Sequence, residues 1–246
     1  MADIRRRRLI GETRLATLEQ GRLAAMRILR DGDGVQAGDR IAARLAKKLG
    51  ARGIAQAGDE ELLVAPWPAG VTEGATVELE VTRAAWKEPG RDRLAKARPA
   101  RPAATKPEPA ISDIWPDDLD EQWDAAFEAA ELGVWPFAGG RLILSPTPAF
   151  LAVDVDGDGA DLATGALQAL AQIIRLWGLG GSIVIDVPHA AKEVRQQAAA
   201  GFDRAMAGHP FERTGINGFG LMQIVAPRAG PSLLERARLD RAGSDA

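Results

Sequence analysis

The chain has 246 residues, 46% of them apolar, with 31 Lys+Arg against 34 Asp+Glu. That is ample apolar mass for a packed core in one or two domains and excludes a globally disordered chain. With no cysteine and only His189 and His209, disulfides, thiol nucleophiles, cysteine zinc sites and histidine-rich metal sites are excluded. A metal would then be held mainly by oxygen, which points to Mg²⁺ or a similar hard ion.

The net charge of −3 conceals a split: residues 1–106 hold 21 Lys+Arg and 14 Asp+Glu, whereas residues 107–246 hold 10 and 20. A basic front joined to an acidic back suggests two parts, one able to meet a polyanion, although solvated surfaces that drifted apart in charge give the same numbers. No apolar run of signal-peptide length follows Arg5–Arg8, and no stretch approaches the ~20 apolar residues of a membrane span. The expectation is a soluble, cytoplasmic protein.

In chain order, residues 12–29 read as a hairpin turning at Gln20-Gly21, with Leu15 and Ala16 interrupting a clean alternation. Residues 32–39 are turn chemistry. Short apolar segments at 41–45, 53–57, 61–65 and 76–81, broken by glycine, predict a small all-β barrel or sandwich. Residues 83–106 carry eight basic side chains, Arg83, Lys87, Arg91, Arg93, Lys96, Arg98, Arg101 and Lys106, against Glu88 and Asp92. Within that stretch, 98–109 contains four prolines and predicts an extended linker.

Beyond the linker, strand and helix patterns alternate. Residues 117–132 predict a helix with acids in its first turn and Leu119, Trp123, Phe127 and Ala130 on one face. Strands follow at 141–144 and 150–154, then a helix over 161–177, a strand at 182–186, a helix over 190–207 and a last strand at 220–226. The pattern is α/β.

Asp154 and Asp186 each close an apolar strand, at the end where open α/β sheets place ligands. Alternation puts Asp156 on the face of Asp154, so three carboxylates are expected to converge. Their mutual repulsion is resolved by a cation, and a hydrated Mg²⁺ there activates a water against a phosphodiester. Residues 156–159, Asp-Gly-Asp-Gly, also read as an ordinary turn, and a calcium loop would lack its closing Glu.

These residues carry a resemblance. Residues 135–157, with their Trp, Gly-Gly and Val-Asp-Val-Asp-Gly in order, resemble the catalytic core of the ribonuclease E/G family. The string Arg175-Leu-Trp-Gly-Leu-Gly-Gly-Ser-Ile-Val-Ile-Asp186 is similar to its Arg-Leu-Arg-x-Leu-Gly-Gly-x-Ile-Val-Ile-Asp, and is the most specific match. Phe219-Gly-Leu221, Pro231-Ser-Leu233, Glu12-Thr-Arg14 and Gly21-Arg-Leu23 match further family segments in the same order. The resemblance implies an α+β, α/β chain in two parts, an OB-type β-barrel followed by a DNase-I-like α/β catalytic domain. It also implies a Mg²⁺-dependent endoribonuclease acting on single-stranded RNA, with Asp154 and Asp186 as catalytic metal ligands and Asp156 at the family's Asn.

The implied boundaries are an N-terminal hairpin over 1–34 packed with the catalytic part, an RNA-binding barrel over 35–98, a linker over 99–112, a catalytic domain over 113–227 and a charged tail over 228–246. Arg83, Lys87, Arg91, Arg93 and Lys96 would hold the phosphate backbone. Arg175 and Lys192 are read either as phosphate contacts or as solvated helix charges, and Trp67 and Trp86 either as stacking rings or as core. The chain departs from the family pattern at Pro148, Asp156, His189 and Gly218, lacks the cysteines of a zinc-linked dimer, and has no segment for a 5′-monophosphate sensor. Two other readings stand beside the enzyme: an RNA-binding protein that kept the fold without turnover, and an adaptor using the acidic helix.

Overall fold

The computed structural model describes residues 3–88, 91–101 and 110–244, and side chains except those of 87, 88, 91 and 239–244. The chain opens with an antiparallel meander, β1 (Asp3–Leu9), β2 (Glu12–Glu19) and β3 (Arg22–Arg30). Gln20 and Gly21 connect β2 to β3 with both φ angles positive, +54° and +77°, the mirror-image turn whose twist matches a two-residue hairpin. A register shift between the pairing of Thr17 with Ala25 and that of Leu18 with Leu23 leaves Ala24 of β3 as the extra residue, while Ala16 and Leu18 of β2 face inward. No sequence signal announced β1: its Arg5–Arg8 run has no apolar alternation.

The second body is a closed barrel in the order β10-β6-β5-β4-β7, built from β4 (Arg40–Leu49), β5 (Arg52–Ala57), β6 (Glu60–Val64), β7 (Thr76–Arg83) and β10 (Ala95–Pro99). Between β7 and β10, β8 (Trp86–Glu88) and β9 (Arg91–Arg93) form a small hairpin. Closure comes from β10, which runs parallel to β6 and antiparallel to β7. Leu45, Leu62, Val64, Leu79, Val81 and the small Ala43, Ala55, Ala95 and Ala97 fill the interior. The four barrel strands expected from the sequence are there. The proline-rich stretch begins inside the barrel, because Pro99 ends β10 opposite Leu79; residues 102–109 lie outside the described residues.

After it, β11 (Ile111–Ser112) adds to β1 in parallel. Next comes α1 (Asp117–Leu132), which has Asp117, Asp118 and Asp120 in its first turn and is closed by Gly133 at φ +67°. Its buried face is Leu119, Trp123, Ala126 and Ala130, with Phe127 partly covered at the margin. Then follow β12 (Val134–Phe137), β13 (Gly140–Pro146), β14 (Leu151–Gly157), α2 (Leu162–Leu176), β15 (Gly181–Asp186), α3 (Lys192–Ala205), β16 (Glu212–Arg213), β17 (Leu221–Ala226) and α4 (Leu233–Ser244). The strands form one six-stranded sheet ordered β12-β13-β14-β15-β17-β16, in which β14 and β15 are parallel and joined by α2. α2 and α3 pack side by side over the face bearing Leu142, Val153, Ile183, Ile185, Met222 and Ile224. Ala16, Leu18, Met26 and Ile28 of the N-terminal meander join this same core.

The C-terminal stretch expected as a charged tail instead carries α4. Ser232 and Glu235 form a reciprocal capping box, with the Glu235 carboxylate accepting from the Ser232 amide at 2.8 Å and the Ser232 hydroxyl accepting from the Glu235 amide at 3.3 Å. Leu233, Leu234 and Ala237 are buried, and the buried Arg236 donates to Asp33 at 2.6 Å, so the helix docks on the start of the chain. Among the described residues, no helix is long and apolar enough to cross a membrane.

Candidate active site

Along β14 and β15 the apolar side chains Val153, Ile183 and Ile185 enter the core beneath the helices. Alternation therefore turns Asp154 and Asp186 to the opposite, open face. The two aspartates are direct register partners on adjacent parallel strands, Asp154 against Asp186, and both are exposed. Neighbouring strands run about 4.8 Å apart, so the carboxylates start from backbones one strand spacing from each other. No hydrogen bond or ion pair reaches either side chain from the described residues. Two adjacent anions with no protein donor between them fit a hard cation that keeps most of its water and takes one or two carboxylates, as Mg²⁺ does.

Asp156 does not join them. It lies two residues along the strand, roughly 6–7 Å away, and directly across from Arg141 of β13. Arg141 closes on it with two contacts to the same oxygen, at 2.8 Å from Nε and 2.6 Å from the terminal nitrogen. Among the described residues there is no group of three or more histidine or acidic side chains able to hold a metal, so the expected three-carboxylate cluster is corrected to a pair beside an ion pair. The Asp156-Gly-Asp-Gly159 segment is not a turn as a whole: Asp156 and Gly157 end β14 opposite Arg141 and Gly140, and the Asp158 amide donates across to the Gly139 carbonyl at 3.1 Å.

Three residues that sequence reasoning passed over build the rim beside Asp186. The Asn217 side-chain oxygen accepts from the amides of Phe219, 2.9 Å, and Leu221, 3.0 Å, closing the turn into β17. Arg195 of α3 donates to the Asn217 carbonyl at 2.9 Å. Gly220 sits at φ +88°, and a Cβ there would fall 2.4 Å from the Val187 carbonyl and 3.3 Å from Asp186 Oδ1. Only glycine allows the turn to approach the aspartate this closely. The Phe-Gly-Leu match in the sequence was the available signal. Lys192, the first residue of α3, is exposed on the same edge, six residues beyond Asp186.

Arg175 is on the other edge. The crossover helix begins at the C-terminal ends of the strands and returns to their N-terminal ends, about 22 Å away for 15 residues. There Arg175 is ion-paired with Glu19 of the meander, so it cannot serve as a phosphate contact beside the aspartates. His209, whose imidazole is pushed below its ordinary value by burial and then by the Arg175 charge, belongs to that edge too.

The basic stretch of the barrel is gathered around Trp86. The guanidinium carbons of Arg83, Arg93 and Arg228 stand 5.0, 5.9 and 4.2 Å from the ring centroid. The Ala84 amide donates to Ala229 at 2.7 Å, and this segment follows β17, whose end is paired with Gly181 at the start of β15. The cluster thus meets the sheet at the edge opposite Asp186, and the structure does not bring it to the aspartates. Lys96 is half-buried in β10; the side chains of Lys87 and Arg91 lie outside the described residues. Trp67 is not a stacking ring: it is buried over Gly53 in the barrel, donating to Val71 at 2.8 Å. No protein-family model matches the chain, and no curated protein matches it.

Proposed function

We propose that the chain is a Mg²⁺-dependent endoribonuclease of the ribonuclease E/G type, cleaving single-stranded RNA in a DNase-I-like catalytic domain over 113–227, with the 35–98 barrel as an OB-type RNA-binding module. The observation that carries this reading is the register opposition of Asp154 and Asp186, two exposed carboxylates on the open face of the sheet that are unpaired among the described residues. They would hold the cation. Mg²⁺ in that position supplies Lewis-acid activation of a water and screens the phosphodiester charge. The rest belongs to the chain's own groups. Lys192, together with the free amides of the α3 N-terminus, would hold a phosphate on the same edge, while Asn217, Arg195 and Gly220 fix the rim. The closed barrel supplies the kind of surface on which OB folds bind single strands, with Arg83 at the end of β7, Lys96 on β10 and Arg93 on the small hairpin between them.

A second reading is favoured by one observation, the Arg141 ion pair that occupies Asp156 and leaves two carboxylates rather than three. It describes an RNA-binding protein without turnover. Incubating the purified chain with end-labelled single-stranded RNA, in Mg²⁺ or in EDTA, separates the two. The endonuclease reading expects internal cuts in Mg²⁺ and none in EDTA. RNA bound but uncut in both overturns it in favour of the second.

A further inference from the structure

Phe219 is 89% exposed, although a side chain of this size normally gains about 1.5–3 kcal/mol by leaving water. Its exposure is not that of a loose loop. The turn that carries it is closed by the Asn217 side chain on two amides, by the Gly220 amide on the Asn217 carbonyl at 3.2 Å and by the Asn217 amide on Leu221 at 3.0 Å. It is held from both sides, by Arg195 on the Asn217 carbonyl and by the Val187 amide on the Gly220 carbonyl, 3.0 Å. Nothing in this turn requires an aromatic ring, yet the ring is mounted one residue from Gly220, where an added Cβ would lie 3.3 Å from Asp186 Oδ1.

We infer that Phe219 is a base-stacking platform at the cleavage site, taking the base of an unpaired nucleotide next to the phosphate that a cation on Asp154 and Asp186 would hold. This inference rests on the reading of those aspartates as the RNA-cleaving centre. A flat ring with no hydrogen-bonding edge, carried on a backbone fixed by these bonds, accepts any base by stacking, so it confers little sequence preference. Only an unpaired base can lie on it. The ring thereby supplies a selection for single strands at the place of reaction, apart from whatever the barrel binds.

The test uses the full chain and a fluorescent single-stranded RNA oligonucleotide, with equilibrium binding measured in EDTA and cleavage in Mg²⁺. Phe219→Ala and Phe219→Leu are each expected to weaken binding about 5- to 100-fold, the range of one lost stacking contact, while Phe219→Trp stays within about threefold of wild type. An abasic position walked along the oligonucleotide should weaken wild type at one site and leave Phe219→Ala unaffected there, a coupling that a merely structural role does not produce. Melting temperatures of the variants should match wild type, since the side chain packs against little. Binding by Phe219→Ala and Phe219→Leu equal to wild type, or an abasic profile identical in wild type and Phe219→Ala, overturns the inference. Wild-type binding with the stacking signature but without cuts in Mg²⁺ retains the platform and sinks the endonuclease. A wild-type chain that binds no single-stranded RNA sinks both.

Discussion

Arg141 and Asp156 face each other across β13 and β14 and are joined by contacts of 2.6 and 2.8 Å, which takes Asp156 out of the carboxylate pair two residues earlier on the same strand. An extra negative charge beside a cation site would strengthen binding; here the guanidinium cancels it. Asp156→Asn is therefore expected to change the Mg²⁺ concentration giving half-maximal cleavage by no more than about threefold, whereas Asp154→Asn raises it by tenfold or more, on the order of the 10–100-fold effects seen when a metal's supporting groups are removed. A Mg²⁺ titration of the two variants checks this. Equal shifts would return Asp156 to the ligand set.

Lys192 and Arg175 make a paired comparison, because they occupy opposite edges of one sheet. Lys192→Ala should weaken RNA binding several-fold and reduce its salt dependence by about one unit of slope, the signature of one lost phosphate contact. Arg175→Ala should leave both unchanged, since its charge is matched by Glu19 and stands at the far end of α2. Affinity measured at four or five salt concentrations decides between them.

Gly220 is the residue whose replacement should do most damage without removing a functional group. Gly220→Ala places a methyl 2.4 Å from the Val187 carbonyl at a φ of +88°. The expected loss is about 1–3 kcal/mol of stability, read from urea denaturation, with cleavage falling as the turn withdraws from Asp186. Gly218→Ala, where a Cβ meets open space and φ is not left-handed, should be close to neutral.

Acid should unfold this protein through ion pairs, two that join its two halves and one inside the barrel. Hydrogen bonds from Arg6, Arg7 and Arg98 hold the carboxyls of Asp113, Asp120 and Glu80 below their ordinary range. In the unfolded chain these groups take protons near pH 4, before the folded ones do. Their contribution is thus fully present at neutral pH and is lost as pH falls through about 4 and below. His209, lowered by burial and then by Arg175, acts in the same direction below about pH 6.5. Melting temperature followed from pH 7 to pH 3 should decline, and the double variant Asp113→Asn/Asp120→Asn should show a shallower acid limb. An unchanged limb would contradict the role given to these pairs.

Much of this architecture was legible in the residues because it rests on local alternation. The barrel strands show it, as do β14, α2 and β15, and two strands joined by one helix suffice to set Asp154 beside Asp186. What escaped depends on partners far away in sequence. β1 showed no strand signal of its own because its run of arginines masks it, and two of these, Arg6 and Arg7, are neutralised by Asp113 and Asp120, more than 100 positions later. α4 looked like a charged tail because Arg236 finds Asp33 across 203 positions. The charge split was read as a sign of nucleic acid, and part of it is internal: Arg6, Arg7 and Arg14 of the basic half pair with Asp113, Asp120 and Asp124 of the acidic half. The Arg141–Asp156 pair required the register of β13 on β14, which is fixed by the close approach of Gly140 and Gly157 and leaves no mark on either strand's pattern.

The central claim is that Asp154 and Asp186 form one cation site that cuts RNA. The most direct measurement is the cleavage rate of a labelled single-stranded RNA, at one Mg²⁺ concentration, by wild type, Asp154→Ala, Asp186→Ala and the double variant. Each single substitution should lower the rate by about 100-fold or more, and the double variant should fall little further, because groups that act as a unit do not lose their effects additively. Cleavage at the wild-type rate by either single variant would contradict the claim.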